Sequence, residues 1–78
     1  MIREVVEYDG VEYDARHGGP FDRGTADSWY GRPISPHYYK GATEMSEKVT
    51  VADMTGSEIA DYLMGYQFNE DIGGKKEW

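Results

Sequence analysis

At 78 residues with no cysteine, the chain has room for one small domain, residues 1–78, and for neither a disulfide staple nor a cysteine-based zinc site, so packed aromatics, a partner or self-association must stabilise it. Eight basic against fifteen acidic side chains leave a net charge of -7, which removes long-range attraction to nucleic-acid phosphate and favours a basic surface on a partner protein. No apolar run at the N-terminus resembles a signal peptide and no stretch is long enough to span a bilayer, so a soluble protein of a reducing, cytosolic setting with no membrane partner is expected.

From Ile2 to Tyr13, the residues Ile2, Val5, Val6, Tyr8, Val11 and Tyr13 are β-branched or aromatic and are split by Asp9-Gly10, a dipeptide suited to a tight turn. Two short strands or an extended arm fit this pattern, and a two-stranded hairpin must lie on something to be stable. Arg16-His17-Gly18-Gly19-Pro20 follows, with the proline placed for a first helical position. Phe21, Thr25 and Trp29 then recur every four residues, with Ala26 and Tyr30 on the adjoining stripe and Gly31 and Pro33 as the stop. Gly24 inside this helix marks either a close backbone contact or a later helix start.

Residues Pro33 to Gly41, with prolines at 33 and 36, read as an extended, stiff segment placed by tertiary packing. The run from Ala42 to Asp53 is polar, and Val49 and Val51 alternate across Thr50 as either a short strand or a loop. Thr55 and Glu58 form a capping box for a second helix, with Met54 and Ile59 at the positions of a hydrophobic staple. Ile59, Tyr62, Leu63 and Tyr66 make its apolar face, and it is expected to fray beyond Phe68, before Gly73-Gly74. Gly65 is expected to admit a ring, Trp29 among the candidates, against the helix backbone. The tail from Lys75 reads as solvated except for Trp78.

His17 and His37 are the only neutral-pH bases, and neither has a second ligand at metal spacing; His17 reads as a loop residue and His37 as a hydrogen-bonding side chain. Ser28 and Ser35 lack a nucleophile elbow, and Gly18-Gly19 lacks the lysine of a phosphate loop, so neither an enzyme nor a cofactor is expected. Trp29, Tyr30, Tyr38, Tyr39, Tyr62, Tyr66 and Phe68 either fill the core or form in part an exposed binding patch. Arg23 and Arg32 bracket the first helix, where they either pair with Asp22 and Asp27 or offer a local cationic site to phosphate or carboxylate.

Arg23-Gly24, six residues, then Gly31-Arg32, followed by Pro36-His37-Tyr38 and a later Tyr62-Leu63-Met64-Gly65-Tyr66, resembles the ribosome modulation factor family over about half the chain. That resemblance implies a helix pair and ribosome association. The whole chain also looks like small accessory proteins of tailed bacteriophages, through His17 to Gly24, Arg32 to Tyr38 and Gly65 to Glu70. The ribosome family is strongly basic whereas this chain stands at -7, and phosphate contacts need cations.

The expectation is therefore an α+β protein, a short N-terminal β-hairpin or arm packed on two helices that touch at Gly24 and Gly65 and are joined by a long loop rich in proline and tyrosine. The expected function is a non-enzymatic phage accessory protein acting on a host macromolecule in the host cytoplasm, a host protein before nucleic acid, with a ribosome-associated factor as the alternative. Arg23, Trp29, Tyr30, Arg32, His37, Tyr38 and Tyr39 are the candidate partner-binding residues.

Overall fold

A computed structural model of the protein describes residues 5–41 and 47–75. The expectations for Ile2, for residues 42–46 and for Trp78 lie outside them. Strands β1 (Val5–Tyr8) and β2 (Val11–Asp14) pair antiparallel with Tyr8 opposite Val11. Their turn takes Asp9 and Gly10 to φ 53° and 78°, the double positive φ of a tight hairpin that asparagine, aspartate and glycine tolerate. Helix α1 (Pro20–Trp29) starts with Pro20 in its first turn. Its cap, Gly19, has no side chain to accept the first amides, and Asp22 reaches back to accept the backbone N–H of Gly18 at 2.9 Å, which ties the preceding loop to the first turn.

Between the helices the chain pairs β3 (His37–Tyr39) with β4 (Lys48–Thr50), antiparallel, with Tyr39 opposite Lys48. The expected loop thus carries a small sheet of its own. Val49 is buried in it, while Val51 has left the strand for a single 3-10 turn, Val51–Asp53. Helix α2 (Gly56–Phe68) opens on the expected box: Thr55 accepts from the Glu58 amide at 3.1 Å and Glu58 accepts from the Thr55 amide at 2.8 Å. Instead of fraying after Phe68, the chain continues through a π-helical turn, Asn69–Gly73.

Among the described residues the architecture is α+β, two α-helices and two short antiparallel sheets. Its radius of gyration, 11.8 Å, is that of a compact chain of this length. The helices meet through glycine. A Cβ on Gly24 would lie 2.8 Å from the Tyr66 nitrogen and closer still to the Tyr62 carbonyl, and one on Gly65 would overlap the Phe21 carbonyl. Gly65 therefore receives the Phe21 backbone, not the ring of Trp29, which is 40% exposed.

That close approach rotates α1 away from the stripe that its sequence spacing indicates. Its buried residues are Phe21, Gly24, Asp27 and Ser28, not Phe21, Thr25 and Trp29. Leu63 is similarly turned outward, at 41% exposure, while Tyr62 is fully buried. The core is Phe21, Val49 and Tyr62, extended by rings: Tyr13 stacks on Phe21 at 5.0 Å, Phe68 lies 5.6 Å from Phe21, and Tyr8 meets Phe68 edge-on at 5.4 Å. Through Tyr8 and Tyr13 the hairpin lies on the helix pair, as an isolated two-stranded sheet requires. No helix among the described residues is long and apolar enough to cross a membrane.

Candidate functional site

Asp27 is the centre of the most polar part of the interior. It is 3% exposed, and a carboxylate removed from water needs partners to stay charged. Three side chains supply them: Tyr62 donates its hydroxyl to Asp27 Oδ2, and the Arg32 guanidinium lies 3.6 Å and the Arg23 guanidinium 3.9 Å from Oδ1. The His37 ring stands beside them, with Nδ1 3.8 Å from Oδ2. The Tyr62 hydroxyl also accepts the Ser35 N–H at 3.1 Å. Burial, and then donation to Asp27, push that hydroxyl well above the ordinary tyrosine value.

Local structure explains how each group arrives. Arg23 and Asp27 stand one turn apart on α1. Arg32 is delivered by the helix ending: Gly31, at φ 70°, donates to the Ser28 carbonyl at 3.0 Å and the Arg32 amide donates to the Asp27 carbonyl at 2.8 Å. This is a Schellman turn, and its usual hydrophobic contact between these two positions is replaced by the Asp27–Arg32 ion pair. The segment beyond is pinned to α2, because Tyr66 donates to the Arg32 carbonyl and Tyr62 holds the Ser35 amide.

His37 is held by both ring nitrogens. Arg23 Nε can only donate, so His37 Nε2, 3.1 Å away, accepts; Nδ1 then carries the proton and donates to the Ser35 carbonyl at 2.7 Å. The neutral Nδ1–H ring fits this pattern. The strand bearing His37 is anchored by Arg16, which donates to the Tyr39 carbonyl at 3.0 Å, and by the Tyr39 amide, which donates to Gly18 at 2.7 Å.

Around Asp27 opens a cavity of about 320 Å³ lined by Arg23, Arg32, His37, Tyr39, Pro33 and Lys48, with Ser35 at its wall. Arg23 lies 5.6 Å from the centre of the Tyr39 ring and Arg32 lies 4.9 Å from that of Tyr30, in the cation–π arrangement. Lys48 enters from β4 because it pairs with Tyr39 across the sheet. Three cations and one carboxylate therefore face one cavity in a chain of net charge -7.

Of the candidate residues, Arg23, Arg32, His37 and Tyr39 meet at this cavity, and Tyr30 stands behind Arg32. Tyr38 alternates to the other face of β3, where its hydroxyl bonds to Glu58. Trp29 is not among the residues that line the cavity; its ring lies near Gly74. Arg23 and Arg32 both pair with Asp27, whereas Asp22 is used at the helix start. Lys48, Ser35 and the role of Tyr62 were not legible in the sequence; Lys48 carries no local signal, since only strand pairing brings it here.

A second polar cluster lies beside the first, at the same C-terminal end of α1. Buried Ser28 donates to Glu70 and accepts from Asn69 at 2.9 Å, Asn69 also donates to the Gly74 carbonyl at 2.7 Å, and Lys75 pairs with Glu70. Lys75, followed by Ser28, holds the Glu70 carboxyl below its ordinary value. Each group is matched by another in the cluster, which ties the π-helical turn to α1. Among the described residues, no three of His, Cys, Asp and Glu stand together as metal ligands. Comparison of the chain with protein-family models, with curated proteins and with solved structures gave no match.

Proposed function

We propose that this protein is a non-enzymatic phage accessory protein that binds and modulates a host macromolecule in the host cytoplasm, and that the macromolecule is a protein. The observation that supports this reading is the meeting of Arg23, Arg32, His37 and Tyr39 at one cavity. Arginine and tyrosine tend to dominate interface energies, and here both arginines are held in place before any partner arrives. The phage origin rests on the sequence resemblance alone.

A ribosome-associated factor is the second reading, favoured by the same three cations, since positive side chains are what attract the phosphates of ribosomal RNA. The net charge of -7 opposes it, because many such contacts would be needed to hold RNA at physiological salt. Affinity capture of the tagged protein from host cells, with and without nuclease, separates the two. A specific protein partner retained after nuclease and lost with Arg32→Glu is expected. Sedimentation with ribosomes that nuclease abolishes, and that Arg23→Ala and Arg32→Ala each eliminate, would replace the first reading with the second.

A further inference from the structure

We infer that the cavity framed by Arg23, Arg32 and Lys48 binds a phosphomonoester group. The inference rests on the reading above, that this face meets the partner, and names the chemistry it recognises there. Among the described residues, the charges facing the cavity are three cations and Asp27, with His37 in its neutral form, so the unbalanced charge is two positive. A phosphomonoester carries about -1.5 to -2 near neutral pH and matches that sum. A carboxylate or a backbone phosphodiester, with one charge each, leaves a cation unmatched.

Geometry adds to the charge argument. Each guanidinium has five N–H donors in a rigid fork. Arg23 commits Nε to His37, and both arginines turn one terminal nitrogen toward Asp27, which leaves further donors on each to meet phosphate oxygens in the bidentate manner. Asp27 opposes an anion, but it is buried and its Oδ2 is occupied by Tyr62. Its effect is to keep two long side chains converged, which lowers the ordering cost on binding. Tyr39 and Pro33 wall the cavity with apolar surface, and a volume of about 320 Å³ is at the lower end of small-molecule sites. There is room for a phosphate and part of the group that bears it.

The ester is either part of a phosphorylated partner side chain or a free small phosphate. Titration of the intact protein with phenyl phosphate, dimethyl phosphate and benzoate, followed by amide chemical-shift changes, tests the inference. Phenyl phosphate should bind at least about tenfold more tightly than the other two, and Arg32→Gln and Lys48→Gln should each weaken it on the order of tenfold, the loss expected for one charge-assisted hydrogen bond. Both positions are exposed, so these variants keep the fold, which the unchanged remainder of the spectrum verifies. A basic phosphopeptide that outcompetes phenyl phosphate assigns the site to a partner protein; equal or weaker binding assigns it to a free phosphate. No binding of phenyl phosphate, or equal binding of all three probes, overturns the inference. If that happens while Arg32→Glu still abolishes partner capture, the contact face stands without the phosphate; if capture is unaffected, the proposed face falls as well.

Discussion

Gly24 and Gly65 form a reciprocal contact in which each glycine lies against the backbone carbonyl of the opposite helix, Gly24 on Tyr62 and Gly65 on Phe21. Because no side chain stands between them, the helices come close enough for Tyr62 to reach Asp27 and Ser35. The glycine pair thus sets the position of the charged cavity as well as the core.

Gly65→Ala and Gly24→Ala should therefore each be costly. A Cβ at either position meets backbone, which cannot rotate away, and overpacking commonly costs about 1–3 kcal/mol. Gly56→Ala, at a position open to solvent, should be neutral or slightly stabilising through helix propensity. Thermal melts of the three variants check this; equal midpoints would rule out the close helix approach.

Tyr62→Phe keeps the ring and removes the hydroxyl that serves Asp27 and Ser35. The loss of a hydrogen bond to a buried charged group should cost roughly 1.5–3 kcal/mol. Arg32→Ala removes an ion pair whose guanidinium is half-exposed, together with its contact on the Tyr30 ring, worth about 1 kcal/mol. Denaturant unfolding should rank Tyr62→Phe well below Arg32→Ala; the reverse order would mean that Asp27 depends on the arginine rather than on the tyrosine.

At the start of α2, Thr55→Ala should cost about 1 kcal/mol. The Thr55 amide, and after it the Tyr38 hydroxyl, hold the Glu58 carboxyl below its ordinary value. A carboxyl lowered in the folded state contributes stability that is present above its unfolded value and is lost as pH falls through the folded one. Stability measured from neutral to acid pH should accordingly fall less steeply in Glu58→Gln than in the parent protein. Parallel acid limbs would show that the box does not hold the charge.

Tyr8 tethers the hairpin by donating to Asp71, beyond the end of α2. That bond to a carboxylate is the chief reason its hydroxyl is pushed up to about 12. Since the folded value is raised, the contribution of this contact is complete below the unfolded value near 10 and is lost as pH rises toward the folded one. Absorbance titration of phenolate should show late-ionising tyrosines of which Tyr8→Phe removes one, leaving Tyr38 and buried Tyr62. The same variant should speed amide exchange in β1 and β2 relative to the helices, and unchanged exchange would show that the ring contacts alone hold the hairpin.

Elements that depend on neighbours in the chain were readable in order from local chemistry: the Asp9-Gly10 turn, Pro20 at the start of α1 and the Thr55/Glu58 box. Gly24 and Gly65 marked the helix contact, but that Gly65 receives the Phe21 backbone in place of a ring was settled by the packing. The tertiary structure decided which way α1 faces. A four-residue stripe of Phe21, Thr25 and Trp29 competes with Phe21, Gly24, Asp27 and Ser28, and the second wins because Gly24 permits close approach while Tyr62, Glu70 and Asn69 satisfy the polar groups that this face buries. Lys48 reaches the cavity only through the pairing of β4 with β3, a contact whose register no local pattern specifies. Turns and caps are set by a few adjacent residues, whereas the charged cavity exists because side chains from α1, the Schellman turn, both strands of the second sheet and α2 are brought together around one buried carboxylate.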